Sequence, residues 1–192
     1  MTSFTISGLR AAGFLGFEPL RSMPARCPAV PPVGGVYAAV LPSAEGVSPA
    51  FLETSVGGHF KQQDPTVTVD ELAANWVLDA ETLYIGSSND IRRRIHEFAE
   101  FGRGKRIGHR GGRCLWQLVD HDRLVICWRP IDGRRRPRDV ESDLLSEFYD
   151  QYVALPFANL RWPRRTQRTQ AAARATLQAD IQPRPSEDAH AQ

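Results

Sequence analysis

Residues 83–95 read Leu-Tyr-Ile-Gly-Ser-Ser-Asn-Asp-Ile-Arg-Arg-Arg-Ile and combine the marks of a strand, a turn and a charged helix. The alternation over residues 83–85 is typical of a half-buried strand. Gly86 permits a sharp exit from that strand, and Ser88 or Asn89 is placed to cap the following helix. We therefore predict a strand-to-helix corner that carries an active site.

The helix that follows distributes its charge unevenly. Its apolar stripe recurs at positions i, i+4 and i+7 and consists of Ile91, Ile95 and Phe98. At about 100° per residue, Arg92, Arg93 and His96 point away from that stripe, whereas Arg94 lies on its border beside Phe101. We therefore expect Arg94 to be held in place and the other two arginines to be solvated.

Three further segments carry the remaining candidate groups. Residues 33–41 have the apolar density of a buried strand with Tyr37 on one face, and residues 123–129 alternate as another strand. A helix over residues 138–152 has Glu141 inside its apolar stripe. A carboxylate in that position is costly unless it is paired or bound to a cation, so an internal ion pair and a metal ligand are both open.

Two tripeptides, Gly35-Val36-Tyr37 and Tyr84-Ile85-Gly86, stand out in this arrangement. They are followed by Arg94, by Glu141 and by a closing Pro156-Phe157-Ala158-Asn159. In this order and spacing, the segments resemble the GIY-YIG nuclease family over residues 33–161.

The resemblance implies an α+β fold in which a small three-stranded central sheet, antiparallel or mixed, is flanked by helices. If the first two strands pair as a hairpin, Tyr37 lies opposite Tyr84. Residues 42–81 are an insertion between those strands. We expect this insertion either to take part in substrate selection or to be an ornament on the sheet edge.

The resemblance also implies hydrolysis of DNA phosphodiester bonds with Mg²⁺ or Mn²⁺ as cofactor. Glu141 is expected to hold the metal through oxygen, and Arg94 to contact a phosphate oxygen with its planar fork of donors. Tyr37 and Tyr84 are expected beside the scissile phosphate, with Tyr37 as general base or as the group that positions the water. The supporting residues are Gly35, Gly86 and Asn159.

Two other functions stay open at this stage. A protein of this fold can be a nucleic-acid-binding module that has lost turnover, although the presence of all the signature residues argues against it. It can also be a nuclease that acts on RNA, because phosphate chemistry is shared and the sequence contains no recognisable base-reading element.

The composition indicates a local rather than a global basic surface. The net charge is only +2 in 192 residues, so the chain as a whole is not a polycationic nucleic-acid coat. Residues 102–113 interleave glycines with cations, which suits contact with phosphate, although a mobile polar connector is the alternative. The expected nucleic-acid contacts are Arg92, Arg93, Lys105, Arg106, His109, Arg110 and Arg113.

The remaining features of the sequence indicate how the chain divides into one domain and two flanking segments. With 42% hydrophobic residues, one catalytic domain over residues 33–161 is expected. Residues 1–32 are expected to be a lead-in packed on that domain, with a helix over residues 6–15 and then prolines that exclude a central strand. Residues 162–192 are poor in large apolar side chains and are expected to be disordered.

The cysteines and the amino-terminal sequence bear on the cellular compartment in which the protein is expected. The three cysteines are far apart and form no CxxC pair, which argues against a disulfide framework and against a zinc ribbon. The amino terminus lacks the pattern of a signal peptide, and no apolar stretch approaches about 18 residues. We therefore expect a cytoplasmic protein without a membrane partner.

Overall fold

A computed structural model describes residues 2–42, 48–59, 63–109 and 111–160. Within them the chain is an α+β domain with a four-stranded antiparallel sheet. The strands are β1 (Leu15–Pro19), β2 (Gly35–Val40), β3 (Thr82–Ser88) and β4 (Val125–Pro130). The helices are α1 (Ile6–Ala11), α2 (Met23–Arg26), α3 (Val69–Asn75), α4 (Ile91–Gly102) and α5 (Pro137–Tyr152), with 3₁₀ turns between them. Arg110 and the predicted tail over residues 162–192 lie outside the described residues.

The sheet has the order β1-β4-β2-β3, and every neighbouring pair is antiparallel. The prediction of three strands is therefore wrong, because residues 15–19 add a fourth strand beside β4. The predicted helix over residues 6–15 is too long, since α1 ends at Ala11 and Gly13 then takes a φ of +83°. The pairing of β1 is irregular, with a register shift between Gly16 and Glu18.

The two faces of the sheet bury two separate apolar clusters, as the alternation along β2 predicts. Tyr37 and Ala39 join the cluster under α4, whereas the intervening Ala38 joins the cluster under α1 and α5. The predicted stripe of α4 is confirmed, because Ile91, Ile95 and Phe98 are all fully buried. The helix is capped by Asp90, whose side chain accepts a hydrogen bond from Arg93 N, and not by Ser88 or Asn89.

The exposed side of α4 differs from its prediction at one arginine. Arg93 is solvated as expected, with 64% of its side chain exposed and an ion pair to Glu97. Arg92 is not free, because its Nε donates to Val30 O and its Nη2 donates to Pro28 O. Arg92 therefore ties the segment after α2 to α4.

We expect Arg92→Ala to lower the free energy of unfolding by about 1–3 kcal/mol, because it removes charge-assisted hydrogen bonds to two backbone carbonyls. Arg93→Ala is the matched control on the neighbouring position and is expected to cost at most about 1 kcal/mol, since an exposed ion pair contributes little. Urea unfolding of both variants measures the difference. Equal losses would show that the contacts of Arg92 add nothing to stability.

The described parts of the insertion pack on the domain beside α4. Its helix α3 begins after Thr68, whose side chain caps the helix by accepting a hydrogen bond from Glu71 N. The buried Gln117 side chain joins two parts of the insertion, donating to Leu52 O and Val67 O and accepting from Val67 N. Gly58 N in turn donates to Phe101 O at 2.7 Å. The insertion is thus fixed against the end of α4 from which the glycine-rich segment departs.

None of the helices among the described residues combines the length and the apolar content that a membrane span requires.

Candidate active site

Two tyrosines meet on the α4 side of the sheet, near one end of strand β3. Tyr37 pairs with Gly86 and Tyr84 pairs with Ala39, so the tyrosines are diagonal neighbours rather than directly opposite each other. Their ring centroids lie 6.0 Å apart. Gly86 makes this possible, because a Cβ at this position would lie only 2.6 Å from Cζ of Tyr37. The glycine of the second motif therefore provides the space for the tyrosine of the first.

Both phenols are protonated at neutral pH. Burial raises the pKa of Tyr37, although the charge of Arg94 and hydrogen bonds with Tyr84 and Arg94 oppose the rise. Burial raises the pKa of Tyr84 well above its ordinary value, and the proximity of Tyr37 raises it further. Tyr84 therefore holds its proton more firmly than Tyr37 does. In this conformation the pair is covered, with exposed fractions of 1% for Tyr37 and 7% for Tyr84.

Arg94 is held at the border of the helix face, as its helical position predicts. A quarter of its side chain is exposed, and its Nη1 donates to Glu97 Oε2 and to Gly108 O, each at 3.0 Å. Burial alone would lower the pKa of Arg94, but the neighbouring Tyr37 and Glu97 outweigh burial and raise it. The guanidinium therefore stays charged, and the two contacts use only the donors on Nη1 out of five N–H donors.

Glu141 reaches the end of β3 from α5. It is half-buried and forms a short hydrogen bond with Ser87 Oγ. Burial raises the pKa of its carboxyl group, while the Ser87 hydroxyl and the charges of Arg138 and Arg94 act in the opposite direction. The contact of Ser87 was not predicted, because nothing in the sequence places a residue of β3 beside one on α5. The internal ion pair that the sequence left open as an alternative is not found, since no cation among the described residues lies within ion-pair distance of Glu141.

The oxygen donors at this corner fit a hard divalent cation. The Glu141 carboxylate and the Ser87 hydroxyl are both oxygen ligands, the type that Mg²⁺ accepts together with several waters. The described residues contain no group of three or more His, Cys, Asp or Glu side chains arranged to hold a metal. A metal at this corner would therefore have at most two such side chains from the described residues as ligands, and water would fill most other positions.

Two of the predicted supporting residues shape the strands around the site. Asn159 Oδ1 accepts from Ile85 N at 2.9 Å, and Asn159 Nδ2 donates to Ile85 O at 2.8 Å. Ala158 N donates to Leu83 O on the same strand. Gly35 permits close strand packing, because a Cβ there would lie 2.6 Å from Arg129 O. The closing motif thus fixes the strand that carries Tyr84.

The glycine-rich segment presents fewer free cations than its sequence suggests. Lys105 and Arg106 are exposed and have no ion pair among the described residues, whereas Arg103 pairs with Glu100. Arg113 is half-buried. Gly111 lies against Tyr84, because a Cβ there would lie 2.3 Å from the Tyr84 hydroxyl. The segment therefore both covers Tyr84 and carries two exposed cations, Lys105 and Arg106.

The other described basic cluster is neutralised by its neighbours. Arg134, Arg135 and Arg136 form ion pairs with Asp132, Asp143 and Asp139 respectively. These arginines are therefore poorer candidates for phosphate contact than Lys105 and Arg106.

His109 lies in the core and not on the surface expected for a nucleic-acid contact. Its exposed fraction is 0%, and its ring stacks on Phe98 with centroids 4.3 Å apart. Neither ring nitrogen makes a hydrogen bond of normal geometry within the described residues. Burial lowers the pKa of His109 well below 6.5, the charge of Arg94 lowers it further, and the Gly111 backbone opposes these effects. His109 is therefore a neutral, buried imidazole.

This neutral histidine predicts an acid-sensitive fold. Below about pH 6.5 an unfolded chain takes up a proton at His109 that the folded chain does not, so stability falls as the pH drops from 6.5 towards the lowered folded-state pKa. We expect His109→Phe, which keeps the stack on Phe98, to reduce the fall in Tm between pH 7 and pH 5. An unchanged Tm profile would mean that His109 titrates normally.

Comparison of the chain with models of known protein families, with curated proteins and with solved structures gave no match.

Proposed function

We propose that this protein is a divalent-metal-dependent endonuclease that hydrolyses phosphodiester bonds of DNA. The observation that carries the proposal is the convergence of four ionisable groups from four elements: Tyr37 of β2, Tyr84 of β3, Arg94 of α4 and Glu141 of α5. Charge effects link them, since Arg94 lowers the pKa of each of the other three and Glu141 raises the pKa of both tyrosines. Such clusters of perturbed groups are costly to bury and are typical of active sites.

Arg94 is the proposed phosphate-binding group. Its charge is permanent, its side chain is partly exposed, and its position is fixed by Glu97 and Gly108. A planar guanidinium binds two phosphate oxygens at once and stabilises the charge that builds on them during hydrolysis.

Glu141 is the proposed metal-binding residue, with Ser87 as its partner. When bound there, Mg²⁺ or Mn²⁺ would neutralise charge on the phosphate and help the leaving oxygen to depart. Ser87 holds the carboxylate in orientation through its hydroxyl group. Because burial already disfavours the charged carboxylate, a cation at this position would relieve that cost.

The tyrosine pair is proposed to position the attacking water by hydrogen bonding. Raised pKa values keep both hydroxyls protonated, so a positioning role for Tyr37 is favoured over that of a free general base. Gly111 covers the Tyr84 hydroxyl. The backbone around Gly111 must therefore shift when a substrate strand enters. Lys105 and Arg106 on the same segment would then contact the strand beside the scissile bond.

The test is cleavage of supercoiled plasmid by the wild type and by Glu141→Gln, with Mg²⁺, with Mn²⁺ and with chelator. Metal-dependent nicking or linearisation that is lost in the variant supports the proposal. Plasmid binding without cleavage by either protein, under all metal conditions, would overturn it.

One observation favours a second candidate, a nucleic-acid-binding module without turnover. Tyr37 and Tyr84 are almost fully covered in this conformation, as a residual structural role would predict. The plasmid experiment separates the two functions. Matched single-stranded DNA and RNA oligonucleotides then decide whether RNA is the better substrate.

A further inference from the structure

A cavity of about 90 Å³ lies beside His109, which forms part of its wall. Its walls include Gly58, Gln63, Asp64, Phe101, His109 and Arg113. They come from the insertion, from the end of α4 and from the glycine-rich segment. Neither Tyr37 nor Tyr84 lines the cavity, so the cavity is distinct from the proposed hydrolytic groups.

His109 is the feature that points to a ligand. It is a fully buried imidazole that lines the cavity, and neither of its nitrogens makes a hydrogen bond of normal geometry among the described residues, although the Gly111 backbone lies near the ring. Leaving buried polar atoms unpaired costs stability, so such atoms in a cavity wall indicate a group that pairs with them when it is bound.

The charged side chains that line the cavity indicate which kind of ligand it can bind. Asp64 supplies a carboxylate with one oxygen engaged by Thr66 N, and Arg113 supplies a guanidinium without an ion pair in the described structure. An anionic ligand would be repelled by the Asp64 carboxylate, and a cationic ligand would be repelled by the Arg113 guanidinium. A neutral group with both donors and acceptors satisfies both residues, and the rings of Phe101 and His109 favour a planar group.

The size and the position of the cavity narrow the choice further. About 90 Å³ suits one small ring rather than two fused rings. The His109 ring lines the cavity and its centroid lies 6.4 Å from that of Tyr84, and the carbonyl oxygen of the preceding Gly108 accepts a hydrogen bond from Arg94. A nucleotide whose phosphate is held by Arg94 therefore places its base within reach of the cavity.

We propose that this cavity binds a single pyrimidine base, turned out of the helix, next to the scissile phosphate. This inference rests on the proposed function and names its substrate class: DNA with an unpaired or readily unstacked pyrimidine. An extruded base costs least where it is already unpaired, so binding favours such sites.

The experiment measures affinity in the absence of cleavage, by fluorescence anisotropy with the Glu141→Gln protein and chelator. The probes are four labelled duplexes that carry a one-nucleotide thymine bulge, an adenine bulge, an abasic bulge or no bulge. We expect the thymine bulge to bind roughly tenfold tighter than the abasic bulge, because a gain of this size is typical when one base stacks on an aromatic side chain. The adenine bulge is expected to gain less, because it carries two rings.

Variants locate the effect in the cavity. His109→Phe and Asp64→Ala, each added to Glu141→Gln, are expected to reduce the thymine preference while leaving affinity for the unbulged duplex unchanged. Asp64 is exposed, so its replacement avoids the folding risk at His109. Asp132→Ala is the matched control, because Asp132 is also exposed and also accepts a backbone hydrogen bond from two residues ahead.

The possible outcomes distinguish a failure of the base site from a failure of the proposed nuclease function. Binding of all four duplexes with equal affinity would overturn the base site alone, as would a thymine preference that survives both cavity variants. Failure to bind any duplex would remove the nuclease proposal and the base site together.

Discussion

Replacing Glu141 by glutamine is expected to reduce plasmid cleavage on the order of 10²–10³-fold, the loss typical of removing one electrostatic group from an active site. Glutamine keeps an oxygen for the Ser87 hydroxyl but removes the negative charge that would attract a metal. Initial rates at several Mg²⁺ concentrations measure the effect. Binding of uncleaved DNA should change little, because Glu141 is placed on the metal and not on the strand.

Asp143→Asn is the control for this experiment. Asp143 lies on the same helix, and its exposed carboxylate pairs with Arg135. Its replacement removes the same charge from the same element, away from Ser87. A similar loss in both variants would point to a long-range charge effect and would contradict the assignment of the metal to Glu141.

The same substitution is expected to raise stability at neutral pH. Burial raises the pKa of Glu141 above 4.5, so the folded protein binds this proton more tightly than the unfolded chain does. Above the raised pKa the ionised carboxylate therefore lowers stability, and the penalty disappears as the pH falls through that value. Glu141→Gln should have the higher Tm at pH 7, with a smaller advantage at pH 4. A lower Tm at pH 7 would indicate that Glu141 is a structural group.

Arg94→Lys is expected to lower the cleavage rate by about 10³-fold, in the range found when an arginine that stabilises a transferring phosphoryl group is lost. Lysine keeps the charge but cannot donate to Gly108, to Tyr37 and to a phosphate from one planar group. Single-turnover cleavage at saturating protein measures the rate of the bound complex. The affinity for uncleaved DNA is expected to change far less than the rate.

Arg93→Ala provides the comparison on the solvated side of the same helix. It is expected to lower affinity and to flatten the dependence of binding on salt, while the rate of the bound complex stays near that of the wild type. Equal rate losses at Arg93 and Arg94 would contradict the difference in their environments.

Local patterns predicted the parts of the fold that depend on sequence spacing. The stripe of α4 and the alternation of β2 follow from helix and strand periods, so the burial of Phe98 and the facing of Tyr37 were predictable. The position of Arg94 at the edge of the stripe follows from the same geometry. The capping residue was predicted one or two positions too early, because Ser88, Asn89 and Asp90 are all good caps.

Contacts between distant segments could not be predicted in this way. Strand β1 contains two glycines or prolines in five residues and pairs with a strand more than a hundred residues later, so neither its composition nor its neighbours predict it. Arg92 is bound by backbone carbonyls, which carry no sequence signal. His109 resembles a loop residue by composition but is buried by aromatic rings that only the fold brings around it.

The side chain of Asn159 has a consequence for behaviour in concentrated solution. Strand β3 lies at one edge of the sheet. An unprotected edge strand is a template to which a second molecule can add a strand. By engaging both the N–H and the C=O of Ile85, the amide of Asn159 occupies the groups that such an intruding strand would use. Asparagine at this position is therefore expected to hinder self-association through strand β3.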